Sequence, residues 1–281
     1  MSDQPRTPID AQALRDQARF LREETVRLIS IAKTGHFASS FSCAEILAVL
    51  YGDTLRLRRG QPDWPARDRF LLGKGHAAVA LYPLLAGLDF FPADQLDTYT
   101  RLGSPFGDHP DVRRIPGIDF SSGSLGHALS AGLGMALGAR LHHLRYRVYV
   151  LLGDGELHEG QVWEAALSAA HHRAANLVAI VDRNDYCLDG RVDDVIGIEP
   201  LAEKWSAFGW SVSDVDGHDV EALASTFRRL AGEERDVPAV VIAHTVKGKG
   251  VGFMEREPGW HLGYLDPADE ERVLAELRGG R

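Results

Sequence analysis

Residues 147–190 read RVYVLLGDGELHEGQVWEAALSAAHHRAANLVAIVDRNDYCLDG. The run Val148-Tyr149-Val150-Leu151-Leu152 is short, apolar and ended by Gly153, the pattern of a strand buried on both faces of a parallel sheet. Two glycines flank Asp154, and without a Cβ they let the backbone turn sharply and approach a ligand closely. A helix is predicted from about Gln161 to Ala174, with Val162, Ala165, Ala166 and Ala169 on one face. A second buried run, Leu177-Val178-Ala179-Ile180-Val181, ends at Asp182-Arg183-Asn184. The stretch is one strand–helix–strand unit, and both of its strands end in oxygen-bearing side chains at the same sheet edge.

That edge is where open α/β sheets bind ligands. Asp154 and Asn184 offer one carboxylate and one amide oxygen there. Hard oxygen donors suit Mg²⁺ or Ca²⁺, and zinc prefers sulfur and nitrogen. A magnesium ion with two or three protein ligands completes its shell with water and substrate phosphate, so the pattern points to a metal-bridged diphosphate. Taken by itself, Gly-Asp-Gly is also an ordinary turn.

Gly153-Asp154-Gly155 followed by a strand ending in Asn184 resembles the thiamine-diphosphate signature. The finer pattern, with Glu159-Gly160 and Trp163-Glu164-Ala165, resembles the transketolase family. The resemblance runs from about Arg19 to the C-terminus and implies an α/β thiamine-diphosphate-binding fold, a mostly parallel central sheet with helices on both faces. The domain reading is a flexible leader over residues 1–10 and a single diphosphate-binding domain over 11–281.

Composition agrees with such a domain. The 281 residues are 44% hydrophobic, enough for one large core. A net charge of −9 with no basic block disfavours a nucleic-acid or anionic-membrane partner. The N-terminus has no apolar core of a secretion signal, and no stretch of about 18 apolar residues occurs to span a bilayer. Cys43 and Cys187 are the only cysteines, which reads as a reducing, cytoplasmic setting without a disulfide framework.

Elsewhere, helical spacing from Ala11 to Ala32 predicts a first helix ended at Gly35. Thr34 to Ser40 reads as a loop, and Ser42-Cys43-Ala44-Glu45 as a capping box opening the next helix. Phe70-Leu71-Leu72 reads as a strand, followed by Gly73-Lys74-Gly75-His76 and a helix from about Ala77 to Gly87. Helix N-termini attract anions, so Lys74 is given a possible anion contact. Arg101 to Phe120 is a long loop rich in Gly and Pro, of the kind that is usually functional or disordered. Ser121 to Gly126 leads into a helix whose Gly132, Gly134 and Gly138 permit close backbone approach. Later come a helix near Leu201–Phe208, a strand near Trp210–Val215, a helix to about Leu230, a strand Ala239–Ala243 and a closing helix Pro267–Leu277. His218 is read as a helix-capping residue, and Thr245 to Val251 as a flexible basic loop, either solvated or in contact with diphosphate.

The resemblance assigns roles to particular positions. His36 faces substrate, although the family's Pro-Gly after it is here Phe37-Ala38. His76 lies over the cofactor. His109 matches a further active-site histidine, although Asp108 intrudes between the glycine and histidine of the family's Gly-His-Pro, giving Gly107-Asp108-His109-Pro110. His261 lies by the diphosphate. Gly123 and Leu125 contact the aminopyrimidine through their backbone, with Ser124 and His127 in place of the family's proline and glutamine. Asp154, Asn184 and the carbonyl of Tyr186 bind Mg²⁺, for which Ca²⁺ or Mn²⁺ can substitute. Gly155 donates its N–H to the diphosphate, and Leu188 wedges between the two cofactor rings. Glu159 matches a glutamate linking two active sites, or else is a plain exposed acid at a helix start.

The resemblance also implies what this chain lacks. The family's cofactor lies between two domains, and the second supplies a glutamate that protonates the pyrimidine ring. After Ala243 only a tail remains. The expectation is a split enzyme: this chain binds the diphosphate, a separate C-terminal transketolase subunit carries the pyrimidine-binding domain, and the two form a dimer of heterodimers. The implied reaction moves a two-carbon ketol unit from a ketose, as its phosphate, to an aldose. The alternatives are half of another thiamine-diphosphate enzyme, deoxyxylulose-phosphate-synthase-like or 2-oxo-acid decarboxylating, or a non-catalytic cofactor-binding subunit.

Overall fold

In a computed structural model, residues 8–279 are described. In chain order the helices are α1 Ala11–Ala32, α2 Phe37–Ser42, α3 Ala44–Val49, α4 Ala78–Gly87, α5 His127–Leu141, α6 Gly160–His171, α7 Val192–Val195, α8 Leu201–Ala207, α9 Val220–Gly232 and α10 Pro267–Gly279. The strands are β1 Arg69–Leu72, β2 Val148–Gly153, β3 Leu177–Arg183, β4 Ser211–Asp216 and β5 Ala239–His244. They pair in the order β1-β2-β3-β5-β4, every pair parallel.

Alternation along the strands divides the core in two. Tyr149, Leu151, Val178, Ile180, Val241 and their neighbours pack against α1, α3, α4, α9 and α10. Val148, Val150, Leu152, Ala179, Val181 and Val240 face the other way, onto α5, α6 and α8. Both faces are thus covered, which is why β2 and β3 read as unbroken apolar runs. Each fully buried Val, Leu or Ile contributes about 1.5–3 kcal/mol. Gly132 of α5 lies so close to β2 that a Cβ there would stand 2.6 Å from a methyl of Val150. Gly134 and Gly138 face open space instead, so close approach is confined to one of the three.

Several local expectations are corrected. Of the predicted leader, residues 1–7 lie outside the described residues; Asp10 is the N-cap of α1 and accepts from Ala13 N at 2.9 Å. The loop after α1 is interrupted by α2, all six of whose residues are buried. No capping box opens α3: Ser42 Oγ donates to Ser39 O and Asp182, and Glu45 is held by Arg22 at 2.7 Å. His218 caps no helix, because Asp219 caps α9; His218 instead bridges Glu45, at 2.9 Å, and the backbone N–H of Val246, at 2.8 Å.

The C-terminal ends of β1, β2, β3 and β5 lead into Gly73–Gly75, Asp154–Gly155, Asn184–Tyr186 and Thr245–Lys247. These loops share one edge of the sheet. Among the described residues no helix is long and apolar enough to cross a membrane.

Candidate active site

β2 and β3 pair in register from Val148 opposite Leu177 to Gly153 opposite Asp182, which sets their terminal loops side by side. Asp154 is buried and accepts from Gly155 N at 2.8 Å, Asp185 N at 2.6 Å and Arg183 Nη1 at 3.3 Å. Burial and then the neighbouring Asp182 push its carboxyl up to about 6, against the pull of Arg183. The carboxylate is therefore under-compensated. Asn184 follows directly after β3, its Oδ1 accepting from Tyr186 N at 3.2 Å. A Cβ on Gly155 would lie 2.7 Å from that of Cys187, so only glycine fits between the two loops.

Among the described residues there is no group of three or more His, Cys, Asp or Glu side chains that could hold a metal. The expected set is of another kind, one carboxylate, one amide oxygen and one backbone carbonyl. The raised Asp154 carboxyl beside these hard oxygens fits a divalent cation.

The four expected histidines converge. The ring of His36 lies 5.1 Å from His76, 5.2 Å from His261 and 6.3 Å from His109, and His76 lies 5.3 Å from His261. Burial, and then Lys74, hold His76 well below the usual histidine range. Burial, and then Lys247, lower His261 to about 3. Both shifts favour the neutral rings. Gly75 and Gly123 make this convergence possible: a Cβ on Gly75 would stand 2.8 Å from Gly123 N, and one on Gly123, where φ is +149°, 3.2 Å from the His109 ring.

Leu188 is 61% exposed, an uncovered apolar side chain in the loop after β3. Glu159 is exposed and makes no ion pair among the described residues; its Cβ packs 2.7 Å from where a Cβ of Gly126 would lie.

Other residues of the site were read only partly, or not at all, from the sequence. Lys74 is not open to solvent: it is buried, donates to Ser39 O at 2.8 Å and pairs with Asp182, which also accepts from Ser42 and Thr245. Nor is the 245–251 loop solvated at Lys247, which is 1% exposed and donates to Cys187 O at 2.8 Å, with His261 Nδ1 at 3.0 Å. Burial and then Lys74 lower Lys247 to about 8, and no carboxylate pairs with it among the described residues. Lys249, by contrast, pairs with Glu255 at 3.9 Å. Glu156 is buried and accepts from Gly126 N and Gly153 N, both at 3.0 Å; burial pushes its carboxyl up to about 7. Only a buried position marks Glu156 and Lys247 as special, and neither has a sequence spacing that reveals it.

A parallel sheet covered on both faces, with buried charged groups and four histidines gathered at its carboxyl edge, defines the class as an open α/β domain with its candidate ligand site at that edge. Residues 11–274 match the transketolase thiamine diphosphate binding domain, and the chain belongs to that family. It is 39% identical over 264 residues to the 6-deoxy-6-sulfo-D-fructose transketolase subunit SqwG of a Clostridium species, covering 94% of this chain and 96% of that protein. It is 37% identical over 269 residues to an apulose-4-phosphate transketolase subunit of Phocaeicola vulgatus, covering 96% of this chain and 95% of that protein. Human transketolase is 38% identical over 95% of this chain, which spans only 42% of that protein. Among solved structures, transketolase from Campylobacter jejuni superposes with a TM-score of 0.89 at 27% identity, over 96% of this chain and 43% of that one.

Proposed function

We propose that this chain is the diphosphate-binding subunit of a transketolase whose pyrimidine-binding domain lies on a separate polypeptide, the two assembling as a dimer of heterodimers. The observation that carries this is the extent of the match. Relatives named as subunits match over nearly their full length, whereas single-chain transketolases continue for more than as much again. The free Cys43 and Cys187 support a reducing, cytoplasmic setting.

Thiamine diphosphate, when bound, supplies a nucleophilic carbon that can take up and release a two-carbon ketol unit. The protein's own contributions follow from the site. Asp154, Asn184 and the Tyr186 carbonyl hold Mg²⁺, whose charge offsets the carboxylate that burial leaves under-compensated. Lys247, a buried cation without a carboxylate, together with Gly155 N–H and His261, holds the diphosphate. Leu188 gives its exposed side chain to the cofactor rings, and Gly123 and Leu125 offer backbone to the pyrimidine. His36, His76 and His109 line the substrate space and exchange protons with sugar hydroxyls. Glu159, exposed at the surface, meets the partner chain in this reading.

The substrate class is a ketose with an anionic terminus, as the sulfonate and phosphate in the names of the two related proteins suggest. An aldose accepts the ketol unit. The test is a reconstituted complex given a ketose phosphate and an aldose. Transfer without carbon dioxide release supports ketol chemistry, and carbon dioxide from a 2-oxo acid favours a decarboxylating half. Cofactor binding in the complex with no turnover on any of these substrates favours the non-catalytic reading.

A further inference from the structure

The acid that interrupts the family's Gly-His-Pro reaches into the histidine cluster. Nδ1 of His36 lies 3.2 Å from the Asp108 carboxylate, and Tyr99 Oη donates to the same Oδ1 at 3.2 Å. The loop that carries Asp108 is pinned at the two residues before it. Tyr82 Oη donates to Gly107 O at 2.8 Å, and Thr100 N to Phe106 O at 2.8 Å. Tyr99 and Phe106 are both buried. The carboxylate is thus aimed at the imidazole by a rigid support. His36 in turn is fixed through its carbonyl, which accepts from Ser40 Oγ at 2.8 Å as α2 begins at Phe37. One departure from the family pattern, Asp108, thus contacts His36, the residue just before the other, Phe37-Ala38. A glycine at 108 could not make that contact.

We propose that Asp108 is a positioning residue for His36: it fixes the imidazole as the Nδ1–H tautomer, so that Nε2 is left as a hydrogen-bond acceptor for a substrate hydroxyl. The other ionisable groups around the His36 ring are His76, His109 and His261, with Lys74 and Lys247 behind them. Among the described residues Asp108 is the carboxylate that pairs with His36. A charge-assisted hydrogen bond to Nδ1–H therefore has no rival on that ring. The same contact acts on the acid. Burial alone would raise the Asp108 carboxyl, but the hydrogen bond and charge of His36, with help from His109 and Tyr99, outweigh it and hold the group below its usual value. The proposal rests on reading His36 as a substrate-facing residue, yet its test does not require turnover.

The experiment is nitrogen-15 NMR of histidine-labelled isolated chain without cofactor, with the His36 signals assigned by their loss in H36Q. The native chain shows His36 as the Nδ1–H form. In D108G the ratio shifts by about tenfold or more toward the Nε2–H form that free imidazole prefers. D108A serves as a second variant should the glycine disturb the loop. In a separate titration, H36Q raises the Asp108 carboxyl midpoint. A native His36 in the Nε2–H form, an unchanged tautomer ratio in the folded variant, or an Asp108 midpoint that does not move in H36Q would each overturn the proposal. None of these results bears on whether the assembled complex transfers ketol units.

Discussion

Lys247 Nζ lies 3.0 Å from Nδ1 of His261 and donates to the Cys187 carbonyl at 2.8 Å, so the loop after β5 is tied to the loop after β3 by a buried cation. Its partners are a carbonyl and a neutral ring. A buried ammonium held in this way lacks a compensating negative charge, and a diphosphate supplies one.

Replacing Lys247 by Met should therefore weaken thiamine diphosphate binding at least tenfold, by about 1.5–3 kcal/mol, while leaving the cofactor-free fold as stable as before. Titration calorimetry with Mg²⁺ present reads the first, and urea unfolding the second. Burial lowers native Lys247 to about 8, so an arriving anion raises it again. Binding above that pH should take up a proton, visible as a dependence of the calorimetric heat on buffer ionisation.

Asp154 gives a prediction of opposite sign for stability and binding. Its folded carboxyl stands at about 6 against an ordinary 3.8. The ionised form is thus disfavoured by folding, a penalty absent below the ordinary value and complete above the folded one. Asp154→Asn should stabilise the metal-free chain at pH 7 by on the order of 2 kcal/mol and by little at pH 4. The same variant should lose Mg²⁺-dependent cofactor binding. Thermal unfolding at the two pH values, with and without the metal and cofactor, checks both.

Leu188 separates function from folding. At 61% exposure its truncation to Ala should change stability by less than about 0.5 kcal/mol, yet weaken cofactor binding several-fold. Equal losses in both measurements would place Leu188 in the core of the loop instead.

Glu156 behaves in the reverse way. It satisfies the backbone N–H groups of Gly126 and Gly153 at 3.0 Å each. Glu156→Ala strands both donors in a buried place and should cost about 2–4 kcal/mol in urea unfolding, with Glu156→Gln recovering part of it.

How much of this was legible in the sequence depends on what each residue's neighbours are. α1, β2 and β3 came through clearly because a long amphipathic stripe and two-sided burial leave their own periodicities. α2 did not: six residues, all buried, carry no stripe and look like a loop joined to an apolar run. Ser42 and Glu45 had the spacing of a capping box, but stronger long-range partners, Asp182 and Arg22, took their side chains. Lys74 and Lys247 were legible only in part. Lysine next to glycine reads as a possible anion contact at 74 and as either solvated or in contact with diphosphate at 247, and only the fold shows that one ammonium meets Asp182 and the other meets His261. The convergence of four histidines from four separate segments came from resemblance, since sequence spacing alone does not bring them within ring contact.

The central claim is that this chain works with a separate polypeptide carrying the pyrimidine-binding domain. Native mass measurement of what co-purifies with it from its source, with thiamine diphosphate and Mg²⁺ present, tests that most directly. The account predicts a second chain of roughly 30–35 kDa in equal amount, in a complex of two copies of each. A homodimer of this chain alone that carries out full ketol transfer would contradict it.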